Sequence, residues 1–171
     1  MLKRFLILTG IILLAGGIMH SCKVSYSFTG ANISPDVKTF SVYYFPNRSR
    51  LVNPNLSQNF TEALREKLQR QTSLNELEEN GDLIFEGQIT GYEVRPMAIQ
   101  KEDQAALNRL TITVSLKYTN NKDPEQNLEQ TFSAYEDFDS NSSLSAVEDG
   151  LVPEIIKKLN EDIFNATIAN W

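Results

Sequence analysis

The sequence predicts an α+β domain: a four-stranded sheet with two helices packed on one face, in the order β-α-β-β-β-α. Three observations carry this. Residues 107–119 alternate strictly, with Leu110, Ile112, Val114, Leu116 and Tyr118 set against Thr111, Thr113, Ser115, Lys117 and Thr119, the period of a half-buried strand. Leu56, Phe60, Leu64 and Leu68 recur at spacing four, and so draw one apolar stripe along a helix. Near the other end Leu144, Val147, Leu151, Ile155, Leu159, Ile163 and Ala166 trace a second stripe.

Residues 1–21 read as a signal peptide. Lys3 and Arg4 lead an apolar run from Phe5 to Ile18, and Met19-His20-Ser21-Cys22 closes it. The run is roughly 14 residues, too short to span a bilayer as a helix. Cys22 is the sole cysteine, so no internal disulfide forms, and a small residue before a cysteine at such a place resembles the bacterial lipobox. There the thiol is acylated and becomes the first residue of the mature chain. Several acyl chains at about 0.8 kcal/mol per buried methylene hold a protein on a membrane lastingly. Residues 22–36 then form a lipidated, turn-rich tether, and 37–171 form a single domain. No acidic cluster follows Cys22, which favours the periplasmic leaflet.

Within the domain, residues 37–45 alternate, with Phe40, Val42 and Tyr44 on one side, until Pro46-Asn47 ends the strand. Asn53-Pro54 supplies an N-cap and a first-turn proline for the helix that runs to about Thr72. Residues 82–95 change phase between Ile89 and Tyr92, so a bulge near Gly91 is expected. Residues 107–119 and 128–138 complete the sheet. Ser145 with Glu148 fits a capping box for the last helix. Gly150 and Pro153 predict a kink, or a helix that really begins near Pro153. A sheet with this alternation is apolar on one face, where both helices pack. The other face shows Thr111, Thr113, Ser115, Lys117, Thr131 and Ser133.

Composition narrows the chemistry. The formal charge is −6, and removal of Lys3 and Arg4 makes it about −8, which argues against nucleic acid. The one histidine, His20, leaves with the signal, so imidazole-dependent catalysis and histidine or thiolate metal sites are excluded. Asp137, Asp139, Asn141 and Glu148 stand at places 1, 3, 5 and 12 of a calcium-loop pattern. Ser142 replaces the turn glycine, however, and a strand end followed by a helix cap is the simpler reading, so no metal is assigned. Glu78-Glu79 and Glu102-Asp103 lie in polar connections without a second wall for acid-base work. No cofactor is implied, and the chain is not expected to be an enzyme.

Taken together, Cys22 with YSFTGA (26–31), SVYYFPN (41–47), LVNPNLSQNFTEALREKL (51–68), GDLIFEGQITGY (81–92), ALNRLTITV (106–114) and a terminal acidic-apolar helix resemble the LptE family of lipopolysaccharide-assembly lipoproteins. The resemblance implies an α+β domain tethered to the inner leaflet of the outer membrane. It would plug the lumen of the large β-barrel LptD, help that barrel assemble, and assist delivery of lipopolysaccharide to the outer leaflet. Lipopolysaccharide itself then becomes a candidate ligand. Arg95, Lys101 and Arg109 could meet its phosphates, but no motif match selects among them. The alternative is a stand-alone periplasmic lipoprotein that carries an apolar or glycolipid ligand.

Overall fold

The computed structural model describes residues 33–51, 53–97 and 106–169. Along the chain run β1 (Thr39–Val42), α1 (Leu56–Gln71), β2 (Asn75–Glu76), β3 (Leu83–Pro96), β4 (Leu107–Asn120), β5 (Leu128–Asp139) and α2 (Leu144–Phe164). One mixed sheet has the order β2-β1-β3-β4-β5. β1 is parallel to β2 and β3, whereas β3, β4 and β5 are antiparallel. Among the described residues the sheet therefore has five strands rather than the expected four. The extra one, β2, is two exposed residues long, too short for any alternation to show.

Both helices cover one face. Phe40, Phe60, Leu64, Phe85, Leu110, Ile112, Leu116, Ile155 and Leu159 are fully buried in a common core. The expected bulge is present: Ile89 pairs with Val114 and Gly91 with Thr113, leaving Thr90 as the extra residue. By absorbing one position it lets both Ile89 and Tyr92 face the core, where each is buried.

Three local expectations are corrected. The strand foreseen over 37–45 is regular only from Thr39 to Val42. Beyond it the chain bends, Tyr44 is exposed and Phe45 takes the buried place, edge-on to Phe60 with centroids 5.0 Å apart. Helix α1 starts at Leu56, with Asn55 rather than Asn53 at its N-cap. The Asn53 side-chain oxygen instead accepts from the Asn55 N–H at 3.0 Å, a turn that holds Pro54 outside the helix. Helix α2 begins at Leu144 rather than near Pro153 and includes both Gly150 and Pro153. Pro153 lacks the N–H that would bond the Asp149 carbonyl, and both residues are exposed, so the proline sits on the solvent side of the helix, where losing that bond costs least.

The Ser145–Glu148 capping box does not form. Ser143 is the N-cap and makes no capping side-chain bond. Glu148 turns inward, accepting from the Tyr92 hydroxyl and, at 2.7 Å, from the Asn53 side-chain amide. That one carboxylate ties the first turns of α2 to β3 and to the lead-in of α1. Burial and the Glu148 carboxylate together push the Tyr92 hydroxyl well above its ordinary range.

The tightest place in the fold lies between β2 and β3. Here the chain crosses β1: the Leu77 N–H donates to the Phe40 carbonyl (2.8 Å) and the Gly81 N–H to Ser41 Oγ (2.9 Å). Ser41, which alternates with Phe40 and Val42, is fully buried under this crossing. Asn80 takes φ 58° just before it, a left-handed conformation that asparagine tolerates. Asp82 then clamps the start of β1, its Oδ2 accepting from the Lys38 N–H (2.8 Å), the Thr39 N–H (3.1 Å) and the Thr39 hydroxyl (3.0 Å), while Lys122 meets Oδ1 at 3.0 Å.

Two predictions follow from this junction. A Cβ on Gly81 would stand 2.6 Å from the Phe40 carbonyl carbon and 2.7 Å from the Ser41 nitrogen, and backbone cannot give way as a side chain can. Gly81→Ala is therefore expected to destabilise the chain by about 3 kcal/mol in urea unfolding; an unchanged midpoint would refute the close crossing. The Lys38 N–H, then Lys122 and Thr39, hold the Asp82 carboxyl down at about 2. Because this lies below the ordinary ~3.9 of an unfolded chain, the stabilisation is complete above about pH 4 and fades as pH falls through about 2. Unfolding measured from pH 5 to pH 2 should show the wild-type chain losing roughly 1–2 kcal/mol, solvent screening included, that Asp82→Asn does not lose.

Candidate interaction face

The face of the sheet away from the helices is the one large surface whose chemistry follows from strand register. Thr113 pairs with Ser133 and Ser115 with Thr131, and the Thr113 and Ser133 hydroxyls lie 3.1 Å apart. Cross-strand hydroxyls of this kind hold one another while leaving lone pairs and rotatable O–H groups toward solvent. Gly91 stands opposite Thr113, so the centre of the face is low and free of bulky side chains.

The three cations that β3 and β4 bring to this face, Arg95, Arg109 and Lys117, each meet a carboxylate, and the exposed Glu129 and Asp139 of β5 add acidic charge to it. Lys117 Nζ lies 2.6 Å from Glu86, which raises the lysine above its ordinary range. Arg95 donates twice to Glu93, at 2.7 and 3.1 Å. Arg109 forks onto Asp137 at 2.7 and 2.9 Å and lies 3.5 Å over the Tyr135 ring. This guanidinium holds the Asp137 carboxyl below its usual range. Also beside Tyr135, Lys158 Nζ meets Glu136 at 2.7 Å and donates to the Tyr135 carbonyl at 3.2 Å.

Of the cations raised as phosphate contacts, Arg95 and Arg109 are cross-strand partners. Each is already neutralised, so a phosphate would have to displace a carboxylate. Lys101 lies outside the described residues, as do Cys22, His20 and Glu102-Asp103. The calcium pattern is not assembled. Asp137 serves Arg109, Asp139 accepts from the Asn141 backbone and side-chain N–H groups at 2.8 and 2.9 Å, and Glu148 turns to Tyr92. Among the described residues no three acidic side chains converge as a metal site would need. Glu78 and Glu79 are exposed on the crossing segment.

Sequence reasoning missed the Arg109–Tyr135–Lys158 stack and the Tyr92–Glu148–Asn53 contact. The first had a signal in the β4–β5 register, since a turn of seven residues after Asn120 brings 109 opposite 137. The second had none, because its partners come from three separate elements. At the end of the β3–β4 hairpin, Met97 and Leu107 pair by a 2.8 Å backbone bond and expose apolar side chains. Among the described residues no helix is long and apolar enough to cross a membrane.

Comparison with known proteins agrees with this architecture. Residues 37–167 match the family model described as LptE, lipopolysaccharide-assembly. No individual curated protein matches the chain by sequence. Among solved structures, the hypothetical protein CT253 from Chlamydia trachomatis is similar at a TM-score of 0.55 and 10% identity, over 78% of this chain and 99% of that one. The rare lipoprotein B from Shewanella oneidensis is similar at a TM-score of 0.50 and 12% identity, over 75% and 92%. These likenesses establish a shared fold. The family match over most of the domain goes further: the chain belongs to the LptE family of non-enzymatic lipopolysaccharide-assembly lipoproteins.

Proposed function

We propose that this family member is exported by residues 1–21, acylated at Cys22 and held on the periplasmic side of the outer membrane. There it seats in the lumen of the β-barrel LptD, supports assembly of that barrel and assists delivery of lipopolysaccharide to the outer leaflet. The observation that carries this reading is the outer face of the sheet. Its hydroxyl ladder and ion-paired cations suit the polar, hydrated interior of a large barrel, where an apolar face would be mismatched. The lipid anchor would keep the domain where its partner resides and raise the effective concentration without adding contacts.

Among the described residues Arg95 and Arg109 offer no ready phosphate site, because they are paired with Glu93 and Asp137. Assistance to lipopolysaccharide is therefore proposed to act through the barrel, with direct contact by these two arginines not assigned. The stand-alone carrier reading is weaker on enclosure. Among the described residues the enclosed cavity by Tyr118 and Leu83 holds about 90 Å³, against roughly 300–1,000 Å³ for a ligand pocket, and hollows of that larger size, such as the one of about 530 Å³ between α1 and α2, are open grooves.

The test is co-purification from a mild detergent extract through a tag on Trp171, with metabolic palmitate labelling alongside. The wild-type chain should carry label and bring down a large barrel, and Cys22→Ser should lose the label. Thr113→Glu sets an unpartnered carboxylate in the middle of the hydroxyl ladder and should cut barrel recovery roughly tenfold, about 1.4 kcal/mol, while circular dichroism stays native. An unlabelled wild-type chain would sink the anchor, and equal barrel recovery with Thr113→Glu would sink the proposed contact face.

A further inference from the structure

Of the asparagines in the chain, only Asn80 is followed by glycine, and that dipeptide carries a reaction of its own. The backbone nitrogen after an asparagine can attack the side-chain carboxamide carbon, and glycine, lacking a Cβ, hinders the approach least. A bond forms between that nitrogen and that carbon, the bond from the carbon to its amino group breaks, and ammonia leaves with the proton of the attacking N–H. Water then opens the resulting cyclic imide at either of its carbonyls. One opening gives aspartate. The other gives isoaspartate, in which the main chain runs through the former side chain. No oxidant, reductant or enzyme takes part, so the conformation of the dipeptide governs the rate.

In the folded chain three features hold the reaction off. Gly81 is buried, and its N–H donates at 2.9 Å to Ser41 Oγ, itself fully buried under the crossing. The attacking nitrogen must shed its proton, and an N–H bonded inside the fold sheds it far less readily than one in water. Asn80, at φ 58°, lies in the left-handed region, where ψ is about +47°. That angle turns the Gly81 nitrogen away from the Asn80 Cβ, whereas ring closure needs the two on the same side. Rotation out of this state is resisted beyond Gly81 as well. Its carbonyl accepts from the Asn121 side chain at 2.9 Å, and the Asp82 N–H donates to the Thr39 hydroxyl at 2.9 Å.

We propose that Asn80–Gly81 is a modification site gated by folding, which converts only while the crossing over β1 is open. The two products then part company at the crossing. Aspartate at position 80 keeps the backbone length and accepts the left-handed conformation as asparagine does, so that chain closes. Isoaspartate inserts an extra carbon into the main chain immediately before Gly81, where a single added Cβ would stand 2.6 Å from the Phe40 carbonyl carbon. That chain cannot seat Gly81 against β1. The dipeptide is therefore a clock on the unfolded chain. A molecule that folds promptly keeps it silent, and one that lingers open loses for good the means to lay β3 beside β1. The site is built from contacts inside the domain and does not depend on the functional reading above.

Ageing the full chain in mildly alkaline buffer, either folded or in urea, tests the gate. Peptide mapping by mass spectrometry should show conversion at Asn80 at least roughly tenfold slower in the folded chain than in urea. Chain aged in urea and then refolded should sort by product, with aspartate at position 80 recovered in the native fraction and isoaspartate confined to the fraction that fails to refold. Asn80→Asp, made directly, should fold with a urea midpoint close to that of the wild type. Equal conversion rates in the folded and unfolded chain overturn the gate. Isoaspartate at position 80 in the native fraction, or failure of Asn80→Asp to fold, overturns the sorting.

Discussion

The crossing of residues 77–82 over β1 is the constraint on which the rest of the sheet depends. β2 and β3 lie on opposite sides of β1 and both run parallel to it, so the connection must pass over the strand within a few residues. Passing over backbone demands a residue without a side chain and a partner for each polar group it covers. Gly81 supplies the first, and Ser41 Oγ with the Phe40 carbonyl supplies the second. Asp82 then converts the crossing into a clamp by accepting from two backbone N–H groups at once, the strong kind of hydrogen bond because the acceptor is charged. With β3 fixed in this way against β1, the β3–β4–β5 meander extends to one side only, and among the described residues β5 is the last strand of the sheet.

That asymmetry divides the molecule by chemistry. Both helices go to the face where Leu110, Ile112, Val114 and Leu116 point, and their burial supplies the cohesion of the domain. The opposite face is released from packing, so its residues answer to what they meet outside. Hydroxyls and ion-paired cations are tolerant of a wet, irregular partner: they do not demand a dry contact. Exposed pairs such as Arg95–Glu93 contribute little to stability, which leaves their placement to be explained by the surface they make.

Much of this was legible in the residues. The strict alternation over 107–119 placed β4 without error, because one buried face imposes period two along the whole strand. The phase change between Ile89 and Tyr92 announced the bulge for the same reason. What failed was local and had a common cause, tertiary contact overriding a short-range signal. Ser145 and Glu148 have the spacing of a capping box, but Tyr92 and Asn53 offered the Glu148 carboxylate a more buried pair of donors. Pro153 reads as a helix start, yet the packing of Val152 and Leu151 beneath it keeps the preceding two turns helical. β2 was invisible because two residues have no period. Of the candidate site, the hydroxyl face was readable from parity alone. The neutralisation of Arg95 and Arg109 was not, because it required knowing which carboxylates the register would bring beside them.

The pairing of those arginines bears directly on how this family member could meet phosphate. A guanidinium already forked onto a carboxylate and stacked on an aromatic ring gains little by exchanging that carboxylate for a phosphate, since one charge-assisted bond replaces another. Arg109 is better understood as a rivet between β4 and β5 that fixes the direction of Tyr135 and, through Lys158, the spacing of α2 from the sheet edge. On that view Arg109 serves the shape of the domain and of its polar face.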